Sequence, residues 1–356
     1  MGKRKHDCGN CHRYVCYGEC KKRGGGLKIV SPIKKMRVEK SPIVKNLAEL
    51  VDLAKDDDVV FTNINSAMLK NVAPQLRALV DLVGMGELKE SIFYQVLYYL
   101  QNMHLVSGVG KNDFMHTCLM GSPGVGKTTV AKIIAEMYKS AGVLSKSGVF
   151  KIATRSDLIG GYLGQTAMKT KGVLDSCIGG VLFIDEVYSL GSGEDRGTDS
   201  FSKECIDTIN GFMSEHKHDF CLIVAGYESE IDKCFFSVNA GLPSRFPWRY
   251  TLRSYSADEL AEIALKMVAE IKWKTDVKKE ELGAVIKKHH KEVFTSEARS
   301  VENWIAKVKL AHSKRVFALE FSCKFVLSVL DFEMGVELMK KNMSLVEVKA
   351  PMEMYM

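Results

Sequence analysis

Outside its first forty residues this 356-residue chain has almost no net charge, it holds no internal repeat, and it lacks a clean apolar run of membrane length. The third absence argues against membrane spans. Ser91–Gly110 carries no charge for twenty residues, but Gln95, Gln101, Asn102 and His104 interrupt it. Leu88, Ile92, Phe93, Val96, Leu97 and Leu100 recur there at helical spacing. An amphipathic core helix is expected, and no membrane partner. The opening Met-Gly-Lys-Arg-Lys-His is followed by no apolar segment. No secretory leader is therefore expected, and the location is read as cytoplasmic or another reducing intracellular compartment. The formal charge of +7 arises entirely in residues 1–40, which carry +9, while the remainder carries −2.

The ten cysteines divide in the same way. Cys118, Cys177, Cys205, Cys221, Cys234 and Cys323 are scattered through apolar or mixed stretches and read as free core thiols. Cys8, Cys11, Cys16 and Cys20 instead crowd into the basic arm beside His6 and His12. Four soft ligands at that spacing could close a tetrahedral Zn²⁺ site. The pattern is close to a zinc knuckle, with cysteine for the histidine and one residue fewer in the last gap. Tyr14, Tyr17, Arg13 and the Lys21–Arg23 run would then supply stacking and charge for single-stranded nucleic acid. A disulfide pair, or a solvated tail that binds nothing, are the other readings of the same residues.

Residues 121–129 read Gly121-Ser122-Pro123-Gly124-Val125-Gly126-Lys127-Thr128-Thr129 and fill the pattern G-x-x-x-x-G-K-[ST]. Glycines let a chain wrap a phosphate closely enough for its backbone N–H groups to point inward. Lys127 is expected to reach the β- and γ-phosphates of ATP, and the Thr128 hydroxyl to ligate Mg²⁺. A buried strand, His116–Met120, precedes the loop, and a helix with Val130, Ala131, Ile133, Ile134 and Met137 on one face follows it. The helix adds the positive end of its dipole to the phosphate site.

Hydrolysis requires acids opposite that cradle. Val181-Leu-Phe-Ile-Asp185-Glu186 supplies four apolar residues of a buried strand with two carboxylates at its C-terminal end, where open α/β sheets bind ligands. Asp185 is expected to hold Mg²⁺, and Glu186 to orient and deprotonate the attacking water. Further apolar strands fall near 149–153, 220–226 and 248–252, alternating with helices, which predicts a parallel five-stranded sheet between two helical layers. After residue 254 only helices are expected. Ser256-Ala-Asp-Glu259 forms a capping box for the first of them, and others are expected near 278–294, 298–316 and 332–342. The expected plan is thus a Cys-rich arm (1–40), a helical linker (41–77), an α/β domain (78–253), a small helical lid (254–342) and a tail (343–356).

Six stretches together resemble one branch of the AAA+ ATPases, that of stage V sporulation protein K and red-type Rubisco activase. They are Leu82-Val-Gly-Met85, the 121–129 loop, RSDLIGGYLGQTAMKT from Arg155, GGVLFIDEVYSL from Gly179, IVAGYESEID from Ile223 and NAGLPSRF from Asn239. The likeness covers about residues 78–342 and implies a P-loop fold with a helical lid. It also implies a homo-oligomeric ring, usually a hexamer, which holds ATP between subunits and remodels or threads a protein client. By the same resemblance Arg245 is the finger that reaches in trans into a neighbour's site. Arg299 is the lid's sensor of the γ-phosphate, Val83 and Gly84 read adenine through their backbone, and Tyr162-Leu163-Gly164 grips a polypeptide in the pore. Two features depart from the pattern. The fourth strand ends Ala225-Gly226-Tyr227-Glu228, as in the resembled branch but without the polar sensor of most AAA+ proteins, and Ser202 stands where the branch usually has glycine. The basic arm keeps a second function class open, a nucleic-acid motor or loader.

Overall fold

The computed structural model describes residues 37–347, apart from 57, 106–113, 146–148, 163, 192–199 and 322–323. The cysteine cluster Cys8–Cys20, with the zinc and nucleic-acid readings attached to it, lies outside the described residues, as do Leu163 and Cys323. Strand β1 (Arg37–Glu39) pairs in parallel with β2 (Val59–Phe61). Helix α1 (Leu47–Leu53) runs between them, started by Asn46, whose side chain accepts the Glu49 N–H at 3.0 Å. Helix α2 (Ser66–Asp81) is capped in the same way by Asn65. The stretch expected to be a helical linker therefore also holds a strand, too short for a period-two pattern to show. Helix α3 (Gly86–Leu100) takes in the first half of the uncharged segment, and it buries Leu88, Ile92, Phe93, Val96 and Leu100. No described helix is long and apolar enough to cross a membrane.

The main sheet contains β3 (Thr117–Gly121), β4 (Phe150–Ala153), β5 (Gly180–Ile184), β6 (Phe220–Gly226) and β7 (Trp248–Leu252). All pairings are parallel, in the order β4-β5-β6-β3-β7. Successive residues serve opposite faces. Leu119, Phe183 and Ile223 enter one apolar core, and Cys118, Leu182 and Leu222 enter the other. Burial on both faces is why the inner strands β3, β5 and β6 read as continuous apolar runs instead of alternating ones. Helix α4 (Lys127–Ser140) joins α2 and α3 in the first core. Helices α5 (Arg155–Leu158), α6 (Thr166–Asp175), α7 (Ser200–Glu215), α8 (Glu228–Cys234) and α9 (Leu242–Arg245) cover the second. The result is a three-layer α/β/α body. Cys118, Cys177, Cys205, Cys221 and Cys234 are buried free thiols, as their apolar surroundings implied.

The lid follows. Helix α10 (Ala257–Glu270) opens on the expected box, with Ser256 Oγ accepting the Glu259 N–H and Glu259 Oε2 accepting the Ser256 N–H at 2.8 Å. Strands do not end at 254. Lys274–Thr275 (β8) pairs in parallel with Val326–Leu327 (β9), and two residues each are too few to mark the sequence. Helices α11 (Lys279–Val293), α12 (Glu297–Arg315) and α13 (Val329–Glu347) complete the lid, the last running beyond the expected 342. Trp304 anchors it, fully buried and donating to the Phe332 carbonyl at 3.0 Å. Beside it Asp331 is also buried. Burial alone would raise its pKa, but donation from Arg315, the Ser328 backbone and His312 outweighs that and holds the carboxyl at about 2. The apolar residues of the lid belong to the same core as α1–α4.

Candidate active site

Sheet order decides what meets at the C-terminal edge. Because β6 lies between β3 and β5, the loop after β3, the acids after β5 and the residues after β6 converge there. They line a cavity of about 320 Å³ that includes Gly124, Lys127, Thr128, Asp185, Glu186 and Arg299. Pro123, Gly126 and Thr129 also face it, while Val125 is buried beneath. Gly124 adopts φ +80°, a conformation that L side chains rarely take, and so turns the backbone around the hollow. Lys127 begins α4 and curls back on its own loop, donating to the Gly121 carbonyl at 2.8 Å and the Ser122 carbonyl at 2.9 Å. Its ammonium lies 5.7 Å from the centre of the Tyr227 ring. Partial burial lowers its pKa, and the nearby Asp185 and Glu186 carboxylates oppose that shift.

These residues suit a magnesium nucleotide. The Ser122 hydroxyl is buried in the loop and has no hydrogen-bond partner among the described residues. Thr128 and Asp185, whose hydroxyl and carboxylate are hard oxygen donors, line the cavity together. Asp185 Oδ1 also accepts the Glu186 N–H at 3.0 Å, and Glu186 sits at φ +49° as the chain leaves the strand. A left-handed glutamate is uncommon, and such strain gathers at working sites. Tyr188 and Tyr227 form the adjoining wall, their ring centres 5.9 Å apart. A Cβ on Gly226 would stand 2.9 Å from the Tyr188 ring, so only glycine leaves that ring room. Burial, then the nearby Glu186 carboxylate, pushes the Tyr188 hydroxyl up to about 12.

The lid closes the cavity from the other side. Arg299, in the first turn of α12, lines it together with Ala298 and Glu302. Buried Glu297 accepts the Tyr255 N–H at 3.0 Å, and the Tyr255 hydroxyl donates to the Val125 carbonyl at 3.0 Å. Lid and phosphate loop are thus tied by direct bonds.

Other residues singled out by the sequence lie elsewhere. Arg245 does not face the cavity of its own chain. Its Nε and one terminal nitrogen donate to Ser214 Oγ at 3.0 and 2.8 Å, and the other terminal nitrogen donates to the Gly241 carbonyl at 2.6 Å. Gly84 borders a separate hollow, and Val83 beside it is buried. Tyr162 is 74% exposed, on a loop whose base is firmly braced. Lys169 donates to the Ser156 and Ile159 carbonyls, Thr170 to the Leu158 carbonyl, and Thr166 accepts the Gly160 N–H. Gly164 follows with φ +81°. Ser202 is buried and accepts from Arg155 at 3.1 Å.

Residues 117–248 match the family model described as "ATPase family associated with various cellular activities (AAA)". The chain is 37% identical over 276 residues to a cfxQ-like protein of Acanthamoeba polyphaga mimivirus, covering 77% of this chain and 66% of that protein. It is 37% identical over 256 residues to stage V sporulation protein K of Bacillus subtilis, covering 70% of this chain and 77% of the relative. The chain belongs to the AAA ATPases, and its activity is ATP hydrolysis. A chloroplast ribulose bisphosphate carboxylase/oxygenase activase of Cyanidioschyzon merolae is 35% identical, with 67% of this chain and 77% of that one covered. The AAA domain of FIGL-1, solved with ADP, superposes with a TM-score of 0.52 at 14% identity, over 76% of this chain and 89% of that one, which supports the fold alone. Within this AAA ATPase site the sequence reading overlooked Tyr188 and Glu302, and left Tyr227 without a role. No motif spacing marks them. The insertion of β6 between β3 and β5 brings Tyr227 to the phosphate end, where it meets Tyr188.

Proposed function

We propose that this AAA ATPase works as a homo-oligomeric, hexameric ring that uses Mg²⁺-dependent hydrolysis to remodel or thread a protein client. In this reading the loop N–H groups and Lys127 bind the β- and γ-phosphates, Lys127 exchanging its own loop carbonyls for phosphate oxygens. Thr128 and Asp185 would hold Mg²⁺, which when bound neutralises charge on those oxygens. Glu186 orients the attacking water and takes its proton, and Arg299 contacts the γ-phosphate from the lid. Val83 and Gly84 present backbone groups to the base.

The observation that carries the ring is Arg245. Its guanidinium is held by Ser214 and Gly241 away from its own cavity, as suits a group that serves a neighbour. Fingers supplied in trans contribute about 10³–10⁵ in rate. Exposed Tyr162 on its braced loop gives the resulting motion a place to act, and the activase among the relatives fits a protein as client. Mixing Arg245→Ala subunits with Lys127→Ala subunits tests the arrangement. Each is inactive alone, and random mixing should restore roughly a quarter of the wild-type rate, since a sound site meets a sound finger at about one interface in four. A mixture as inactive as its parts would overturn the trans finger.

A further inference from the structure

Next to the phosphate cavity lies a second hollow of about 360 Å³, bordered by Gly84, Met85, Thr251, Tyr255 and Glu259. Gly126 sits at the divide. A Cβ built on it would stand 3.2 Å from Met85 Cε and 3.7 Å from the Tyr255 hydroxyl. A nucleotide whose phosphates lie along the 121–129 loop can extend its base past this divide, with the Gly84 backbone on one side and the start of α10 on the other.

We infer that Glu259 selects the base of the nucleotide, accepting a hydrogen bond from the exocyclic amine of adenine and rejecting guanine. The inference rests on the ATPase reading above. Glu259 is half-buried, and its two oxygens have different surroundings. Oε2 is committed to the helix cap, accepting the Ser256 N–H at 2.8 Å. Oε1 has no hydrogen bond among the described residues and turns toward Gly84, 2.7 Å from where a Cβ on that glycine would sit. An ionised carboxylate only accepts. Adenine offers it an N–H donor, whereas guanine and hypoxanthine present a carbonyl oxygen at the same position, which sets lone pair against lone pair. The other charged groups on the rim do not compensate. Arg253 and Glu87 are bonded to each other, and both are largely exposed. The Tyr255 hydroxyl is already committed to the Val125 carbonyl, so its ring supplies a wall and no further donor.

Glu259→Gln is the informative change, because glutamine keeps the capping box while giving the second position an amide that can also donate. Steady-state kinetics with ATP, GTP and ITP on both chains should show the ATP-to-GTP ratio of kcat/KM falling by about tenfold or more. That is the effect of one hydrogen bond to a charged group. The kcat for ATP should stay within about twofold, the change lying in KM. Wild-type chain should also bind purine riboside triphosphate, which lacks the amine, about tenfold more weakly than ATP. That measurement needs no variant to fold. An unchanged ATP-to-GTP ratio in a folded Glu259→Gln chain, or equal binding of the two purines by wild type, would overturn the inference. A wild-type chain that hydrolyses no nucleotide would instead overturn the ATPase reading, and the ATP and purine riboside triphosphate binding comparison, made on both wild type and Glu259→Gln, would still decide the role of Glu259.

Discussion

The carbonyl oxygen of Ser296 occupies the space that a side chain on Gly124 would need, since a Cβ built there lies 2.1 Å from it. Lid and phosphate loop therefore meet backbone to backbone, and Arg299 follows three residues later in the same cavity. Gly124→Ala carries two penalties. The left-handed φ of +80° costs about 1–2 kcal/mol for a residue with a Cβ, and the lid must also withdraw. We expect the KM for ATP to rise about tenfold or more, with a lower melting temperature. Gly142→Ala is the control. It shares a left-handed φ of +69° but meets nothing within 4 Å, and should lose stability without losing ATP affinity.

Tyr162 is set apart from the nucleotide chemistry, so Tyr162→Ala should hydrolyse ATP at a basal rate within about twofold of wild type. Stimulation by a permanently unfolded protein, such as carboxymethylated lactalbumin, should vanish in Tyr162→Ala and persist in Tyr162→Phe. Equal stimulation of the alanine variant would remove this loop from the client path.

His116 gives the fold a pH dependence. It is fully buried at the start of β3, and its Nδ1 accepts the Leu222 N–H at 3.0 Å. Burial, then the positive charge of Arg245, lowers its pKa from 6.5 to about 3. The unfolded chain therefore binds a proton between those values that the folded chain refuses, so stability falls as pH drops below about 6.5. One such group contributes a slope of about 1.4 kcal/mol per pH unit. The Asp331 carboxyl, lowered from 3.8 to about 2, adds its loss only at lower pH. Denaturant unfolding at pH 7, 6 and 5 should therefore show a clear decline. The decline should be shallower in His116→Asn, which keeps an acceptor near Nδ1 and cannot titrate.

Much of this is legible in the sequence alone. Val181–Ile184 announces a strand buried on both faces, the 121–129 loop announces a phosphate, and Ser256 with Glu259 announces a helix start. The pairs β1–β2 and β8–β9 stayed hidden because two or three residues carry no period. Tyr227 stayed without a role for a different reason: it reaches the site through the order of strands, of which sequence adjacency carries no trace, while nothing in the sequence says that the ring of Tyr188 turns into the cavity. Glu259 reads in the sequence as a cap and nothing more, because the free oxygen that faces Gly84 depends on how the lid folds back. Arg245 is recognisable by motif, but its separation from its own cavity becomes visible only in three dimensions.

In the mechanism proposed above ATP turnover depends on Glu186, and Glu186→Gln examines it with the least disturbance, exchanging one oxygen for nitrogen. ATP binding and ADP formation should be measured on the same preparation, with Lys127→Ala as the chain that fails to bind at all. We expect Glu186→Gln to bind ATP within a few-fold of wild type while turnover falls by about 10²–10⁴, the contribution of a positioned base. ATP bound and hydrolysed at close to the wild-type rate would contradict the assignment of Glu186 and, with it, the chemistry derived for this cavity.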